Sequence, residues 1–234
     1  MKVVALLTAR GNNTLKNKNL LKILNKPLIA YPCTESKKVK KINDFYVSSE
    51  DLKILKEAKK YKFKTIKRPK NLSKPNSLHQ DVLKHSIRFL EKKKIYPELI
   101  LVLLGNAPII KSKWIKECIN IMEKNQSISS IVPVIEFNDH HPLRAKKIKN
   151  GFLKTFINGK KKIPSNRQDL EKSYFLCHNF WLIRTDEIKK NRGEPPWNFM
   201  GKKVMPYVIK KHIDVHDWED MLVAEYLIKN IAKL

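Results

Sequence analysis

Glycine is scarce in this chain, with six among 234 residues, and neither G-x-x-x-x-G-K-[ST] nor G-x-G-x-x-G occurs. The two best-known glycine-built phosphate cradles are therefore excluded. Cysteine is scarce too. Cys33, Cys118 and Cys177 are odd in number and far apart, with no C-x-x-C pair, so neither a zinc site nor a disulfide framework is indicated. They read as buried free thiols. No apolar run approaches the roughly 20 residues of a membrane span, and the strand-like start lacks the regions of a signal peptide. A soluble cytoplasmic protein with no membrane partner is the default expectation. Acidic residues are few, 22 against 49 Lys and Arg, for a net charge of +27. Such a charge fits a nucleic-acid partner. Yet the lysines are spread over almost every expected helix, and no helix-turn-helix, zinc-finger or RNA-binding aromatic signature accompanies them. The charge reads as compositional bias that also attracts anionic substrates.

What is present is an alternation of short apolar runs and amphipathic stretches. Val3 to Leu7 is a β-branched apolar run that does not alternate, as expected of a buried parallel strand. Pro27 suits the start of a helix from Leu28 to about Val39. Asp44 to Ser48 is a second strand, followed by a helix to Tyr61 with Ser49 as the expected N-cap and Leu52, Leu55 and Ala58 at helical spacing. Phe63 to Ile66 is a third strand. Leu78 to Lys92 is amphipathic through Val82, Leu83, Ile87 and Leu90. Leu99 to Leu104, the most hydrophobic run, is assigned to the central strand. Ser112 is expected to cap a helix to about Lys124, and Ile128 to Val134 is another strand. The short connections imply right-handed βαβ units in a parallel sheet. From Glu136 to Leu170 the pattern loosens into an excursion, with Arg144 to Phe156 as two short strands and a basic loop from Lys160 to Asp169. Tyr174 to Ile183 returns to the core, where Phe180 and Trp181 alternate so that one of them is expected inside. Val204 to Ile209 and His212 to Val215 are late strands, and Glu219 to Ile231 is a closing helix with Leu222, Leu227 and Ile228 among its apolar positions. The 234 residues suit a single α/β domain, with residues 136–172 as its excursion.

The chemistry gathers at strand exits, where open α/β sheets bind ligands. The first strand runs into Thr8-Ala9-Arg10-Gly11-Asn12-Asn13-Thr14-Leu15-Lys16-Asn17-Lys18-Asn19. Three cations and many backbone amides suit a polyphosphate such as that of a nucleoside triphosphate. A solvated loop in a Lys-rich protein is the competing reading. Further constellations are Val47-Ser48-Ser49-Glu50-Asp51, Arg68-Pro69, Gly105-Asn106-Ala107-Pro108, Arg167-Gln168-Asp169 with Tyr174 and Cys177-His178-Asn179-Phe180-Trp181, and Asp214-Val215-His216-Asp217. Taken singly, Ser48 and Ser49 fit simple caps and Asp214 fits a solvated residue before a helix. Adjacent His140 and His141 resemble a metal pair but cannot easily chelate one ion. Pro195-Pro196-Trp197 fits a lid, a dimer contact or a packed turn.

In order, these pieces resemble the acylneuraminate cytidylyltransferase family of CMP-sugar synthetases, with CMP-Kdo synthetases as more distant kin. The family's A-R-G-G-S-K-G-I-P-x-K-N is met by Ala9-Arg10-Gly11 and Lys18-Asn19, and its K-P-L-I-A-Y by Lys26 to Tyr31. Its V-S-T-D is met by Val47 to Asp51, its R-P-x-x-L by Arg68 to Leu72, and its closing D-x-D through A-E by the stretch from Asp214 to Glu225. The matches cover nearly the whole chain. The resemblance implies a Rossmann-like nucleotide-diphospho-sugar transferase fold, a mostly parallel mixed sheet with helices on both faces. It implies Mg²⁺ dependence, a homodimer contact through the excursion, and transfer of CMP from CTP to a 2-keto sugar acid of the nonulosonic, sialic-acid type for glycan synthesis.

By the same resemblance, Arg10 and Lys18 hold the triphosphate, and Leu7, Ala9, Gly11, Asn19, Ser48 and Arg68 contact the nucleotide. Asp214 binds Mg²⁺, with His216 beside it. Asn106, Arg167, Gln168, Tyr174, Asn179 and Phe180 line the sugar pocket. The chain departs from the family at Asn12, Asn13 and Thr14, in a loop one residue shorter, at Gly105 to Pro108 where the family has Q-P-T-S-P, and at His216 where it has a second Asp. These mark a divergent member acting on an unusual sugar acid. The alternatives are a transferase of the same fold using another nucleotide or sugar, and a basic nucleic-acid-binding protein without catalysis.

Overall fold

The computed structural model describes all residues except 12–14, 138, 158–162 and 231–234. Asn12, Asn13, Thr14, Lys160 to Lys162 and the expected helix end at Ile231 lie outside the described residues. The strands and helices, in chain order, begin with β1 (Val3–Thr8), β2 (Lys22–Ile23), β3 (Lys26–Pro27), α1 (Ala30–Lys37), β4 (Asp44–Ser49), α2 (Leu52–Lys60), β5 (Lys64–Lys67), α3 (His79–Lys92) and β6 (Leu99–Leu104). They continue with α4 (Ser112–Lys124), β7 (Ser130–Glu136), β8 (Lys146–Lys149), β9 (Phe152–Thr155), β10 (Tyr174–Leu176), β11 (Phe180–Arg184), α5 (Thr185–Lys190), β12 (Val204–Val208) and α6 (Trp218–Lys229).

One eight-stranded sheet organises the described residues, in the order β10-β7-β11-β6-β1-β4-β5 with β12 on the other side of β7. β1, β4, β5 and β6 pair in parallel. β11 lies antiparallel between β6 and β7, so β7 and β12 run the same way as the first four. The sheet is thus mixed and mostly parallel. Its central strands are apolar on both faces because both faces are covered. Ala5, Leu7, Leu101 and Leu103 face a core shared with Cys33, Ile54, Ile115 and Ile119 from α1, α2 and α4. Val4, Leu6, Ile100 and Val102 face Leu83, Ile87, Leu90 and Ile188 from α3 and α5. A smaller cluster of Ile23, Leu28, Val215, Met221 and Ala224 seats α6. All three cysteines are buried and free. No described helix is long and apolar enough to cross a membrane.

Several local expectations are corrected. Phe180 and Trp181 are both buried, on opposite faces of the sheet, because each face has its own core. The stretch from Tyr174 to Ile183 is two strands along one edge of β7, interrupted at 177–179 where the amide of Cys177 bonds Pro133. The N-cap of α2 is Asp51, whose carboxylate accepts from the amide of Lys53 at 2.7 Å, while Ser49 ends β4. Ser112 is the first residue of α4, and its amide is satisfied by Glu35 at 2.9 Å rather than by its own cap. Leu52 and Leu222 are exposed, and Ile54, Met221 and Ala224 fill the expected apolar positions instead. Residues 212–215 form no strand. The expected hairpin exists as β8 and β9, a separate two-stranded unit.

The double covering of the sheet sets the expected cost of truncating it. Leu101 in β6 has no solvent exposure. Leu101→Ala is expected to destabilise the protein by about 2–5 kcal/mol in urea unfolding. A loss below about 1 kcal/mol would contradict a packed two-sided core at this strand.

Candidate active site

β1, β4 and β6 end side by side, so their exit loops meet at the carboxyl edge of the sheet. The amide of Ala9 bonds the carbonyl of Ser48 at 3.3 Å and that of Gly105 bonds Thr8 at 3.3 Å, carrying the register one step beyond the strands. The chain returns through Lys18 and Asn19, in a short turn entered from Asn17 in the left-handed conformation (φ 55°). Asparagine tolerates this conformation better than most residues. Asn19 then locks the loop, since its side-chain amide donates to the carbonyl of Arg10 at 2.8 Å and its carbonyl accepts from Ile29 at 3.2 Å. Gly105 is required at this crossing, because a Cβ there would sit 2.9 Å from Asn19 Oδ1 and 3.0 Å from Ala9 Cβ.

The acidic residues after β4 hold this loop in place. Glu50 accepts the amide of Gly11 at 2.7 Å, and a Cβ on Gly11 would lie 2.5 Å from Asp51 Oδ2. Burial pushes the Glu50 carboxyl up, but hydrogen bonds from its own backbone amide, from Gly11 and from Ser73, with Arg68 nearby, more than reverse that and leave its pKa lowered. Arg68 is buried and donates twice to Ser48, from Nε to Oγ at 3.2 Å and from Nη2 to the carbonyl at 2.7 Å. Burial lowers its pKa to about 10, against the pull of Glu50.

The opposite wall comes from residues 214–216. The carbonyl of Asn106 accepts the amide of Val215 at 3.0 Å, and its side-chain amide donates to the Val215 carbonyl at 3.2 Å and to Asp214 Oδ1. One carboxylate oxygen of Asp214 is thereby fixed. The other lies 3.5 Å from His216 Nε2. Burial raises the pKa of Asp214, opposed by His216, His178 and Lys18. Burial likewise lowers the pKa of Lys18, opposed by Asp214 and reinforced by Arg10. A cation and a carboxylate, each costly to bury, thus face one another across a cleft of about 300 Å³.

The structure brings Ala9, Arg10, Lys18, Asn19, Arg68, Asn106, Asp214 and His216 into that one cleft. Leu7 belongs to the core below it, Gly11 gives its amide to Glu50, and Ser48 is covered by Arg68. Of the expected sugar contacts, Asn106 lines the cleft and the others do not. Asn106 turns its amide to residues 214–215. Asn179 is fully buried and donates to the carbonyl of Ile109, and Phe180 is sealed in the core by the sheet's two-sided cover. Arg167 pairs with Asp139 at 2.6 Å, and neither it nor Gln168 nor Tyr174 lines the cleft, all three being exposed on the excursion side. His178, named in a constellation but given no role, lines the cleft, and so does His79, which the sequence reading passed over. The break between β10 and β11, which presents His178, has no periodic signal in the sequence.

Among the described residues no group of three or more His, Cys, Asp or Glu is placed to hold a metal ion. The carboxylate of Asp214, with one oxygen on Asn106 and the other beside His216, is an oxygen donor of the kind a hard cation takes. The cleft lies at the carboxyl edge of a doubly covered α/β sheet, where open α/β sheets bind their ligands. Residues 4–227 match the family model described as Cytidylyltransferase, and the chain belongs to that family.

Among characterised relatives, it is 26% identical over 212 residues to a Helicobacter pylori protein described as pseudaminic acid cytidylyltransferase and UDP-2,4-diacetamido-2,4,6-trideoxy-beta-L-altropyranose hydrolase. That match spans 90% of this chain but only 40% of the relative's length. A pseudaminic acid cytidylyltransferase of Campylobacter jejuni is 27% identical over 184 residues, 78% of each chain. In fold, the protein is similar to a CMP:2-keto-3-deoxy-manno-octonic acid synthetase solved with CTP, with a TM-score of 0.72 at 14% identity, covering 99% of this chain and 100% of that one.

The Glu50 anchor is testable by pH. A carboxyl whose folded pKa is depressed adds stability above its unfolded pKa of about 4.3 and loses it as pH falls through the folded value. Glu50→Gln is expected to be less stable than the wild type in urea at pH 7, with the gap closing on acidification below pH 4. A gap unchanged between pH 7 and pH 3 would contradict the anchor.

Proposed function

We propose that the protein transfers CMP from CTP to the anomeric hydroxyl of a 2-keto sugar acid of the nonulosonic type, releasing pyrophosphate. The observation that carries this reading is the buried Lys18 held beside Arg10 and opposite Asp214 in one cleft at the exit of β1. The names of the Helicobacter pylori and Campylobacter jejuni relatives supply the class of acceptor.

In this reading the hydroxyl oxygen forms a bond to the α-phosphorus while the bond from that phosphorus to the bridging oxygen breaks. The hydroxyl proton leaves to solvent and pyrophosphate carries away the negative charge. The protein's part is positioning and charge neutralisation. Lys18 and Arg10 face the β- and γ-phosphates and stabilise the charge that develops on the leaving group. Asn19 keeps their loop at a fixed distance from the sheet, because it bonds the carbonyl of Arg10. Asp214 would hold Mg²⁺ through its free oxygen, with His216 placed to contact a metal-bound water or a phosphate. An ion held there would supply positive charge beside the phosphates. Asn106 keeps Asp214 turned toward the cleft.

The same reading includes a cytoplasmic homodimer. The hairpin of β8 and β9 stands apart from the sheet with Ile148, Phe152 and Leu153 exposed at 77%, 69% and 70%. Apolar side chains so exposed on a Lys-rich hairpin fit a partner surface. A second copy offers one in α6, where Trp218, Leu222 and Tyr226 are exposed between Glu219, Asp220 and Glu225.

Pyrophosphate release from CTP on adding pseudaminic or N-acetylneuraminic acid, and not from ATP or GTP, is the expected result of a substrate panel. Release with no sugar acid in a broad panel would overturn the acceptor class. Lys18→Ala and Arg10→Ala are each expected to lower kcat/KM by about a hundredfold or more, with an unchanged thermal melt. Full activity in both would remove them from the site. Asp214→Ala is expected to abolish the response of turnover to Mg²⁺ concentration, and an unchanged response would reassign the ligand.

A further inference from the structure

The phosphate chemistry leaves one histidine of the cleft unused. His79 opens α3 and lines the cleft beside Thr8, Arg68, Leu72 and Val82. Its ring rests on Trp181 and Phe199, with centroids 5.2 and 6.3 Å away, so its orientation is set by packing. Its Nε2 lies 3.1 Å from Thr8 Oγ1. That hydroxyl donates to the carbonyl of Leu103 at 3.4 Å.

These contacts fix where the imidazole proton sits. A hydroxyl has one proton to give and lone pairs to receive. With its proton on the Leu103 carbonyl, Thr8 Oγ1 is an acceptor toward His79, so Nε2 carries the ring proton. Burial, with Arg68 and His178 adding to it, lowers the pKa of His79 to about 3, so the ring is neutral near pH 7. Nδ1 is then a bare acceptor. No hydrogen bond among the described residues engages Nδ1, and it is not among the buried atoms left without a partner. It opens on the cleft.

This part of the cleft has the surroundings a base needs. Leu72 and Val82 give it apolar walls, while Arg10 and Lys18 supply the cations for phosphates. Cytosine and uracil differ at position 4, where cytosine carries an amine donor and uracil a carbonyl acceptor, and at N3, which accepts in cytosine and donates in uracil. An acceptor held facing the first of these positions bonds cytosine and opposes uracil.

We propose that His79 Nδ1, with its tautomer set by the relay through Thr8 to the carbonyl of Leu103, accepts a hydrogen bond from the exocyclic amine of cytosine and selects CTP over UTP. This rests on the CTP reading of the cleft. His79 is a specificity-determining residue that touches substrate, and Thr8 is a positioning residue that acts through it. Sites built to hydrogen-bond a substrate group discriminate strongly against analogues that lack it, because their own polar atom is left unpaired.

The test is the ratio of Kd for UTP to Kd for CTP, measured by calorimetry with Mg²⁺ on the full chain. Wild-type protein is expected to prefer CTP. His79→Phe keeps a ring against Trp181 but removes both nitrogens, and is expected to reduce the ratio by about tenfold or more, the worth of one such bond. Thr8→Val keeps the branched shape, frees the tautomer and is expected to reduce the ratio as well. It decides the matter if His79→Phe does not fold. A packing role alone would weaken both nucleotides equally, and an unchanged ratio in the folded variants overturns the inference while leaving the CTP reading in place. Equal binding of both nucleotides by the wild type also overturns it. A wild type that binds neither nucleotide defeats the CTP reading itself.

Discussion

The clamp between Asn106 and residues 214–215 is the constraint on which the cleft depends. It joins the exit of the central strand to a segment more than a hundred positions later, through one backbone bond and two from a single side-chain amide. That amide satisfies one oxygen of a largely buried carboxylate and leaves the other beside His216, with the charge of Lys18 near enough to favour the ionised form. A buried carboxylate without such a donor would protonate or swing to water. Without the carboxylate, the buried Lys18 and Arg68 would lie close to Arg10 with less to offset their mutual repulsion. The cleft is left with an excess of positive charge.

The sheet makes this arrangement rigid. β1 is wholly buried between β4 and β6, so the three exits that carry Arg10, Ser48 and Asn106 cannot drift relative to one another. Two anchors then fix the phosphate loop from opposite sides, Asn19 on the carbonyl of Arg10 and Glu50 on the amide of Gly11. On the far side, the interruption between β10 and β11 lets one edge of β7 serve two short strands. It exposes His178 to the cleft between Trp181 and Trp197, 5.5 and 5.9 Å away between ring centroids. Polar groups in the cleft therefore stand on packed aromatic and aliphatic supports, which is how a site is held ready before its ligand arrives.

Much of this was legible in the chain. The parallel sheet followed from apolar runs without alternation, and Leu99–Leu104 occupies the centre at the bounds its composition marks. That the loop after β1 and Asp214 share one cleft was legible through the order of short motifs. The sugar-side residues were not. Arg167 and Gln168 sit on an excursion whose direction depends on tertiary contacts that periodicity does not encode, and Tyr174 starts the edge strand β10 with its side chain exposed. Phe180 and Trp181 alternate like a half-exposed strand, but both faces of β11 are covered and bury them, and Asn179 is buried in the break just before it. Ser49 and Ser112 have the chemistry of caps, yet Asp51 and the distant Glu35 satisfy those helix starts. His79 has no motif around it, and its role emerges only where Thr8, Trp181 and Phe199, distant in sequence, close upon it.

The central claim is that the loop leaving β1 and the aspartate held by Asn106 grip the two sides of one triphosphate. A crystal structure with CTP and Mg²⁺ tests it most directly. The account predicts phosphate oxygens within about 3 Å of Lys18 Nζ and the Arg10 guanidinium, with the free oxygen of Asp214 turned to the same phosphates through the ion. A nucleotide bound elsewhere, or phosphates facing away from the β1 loop with Asp214 remote from them, would contradict it.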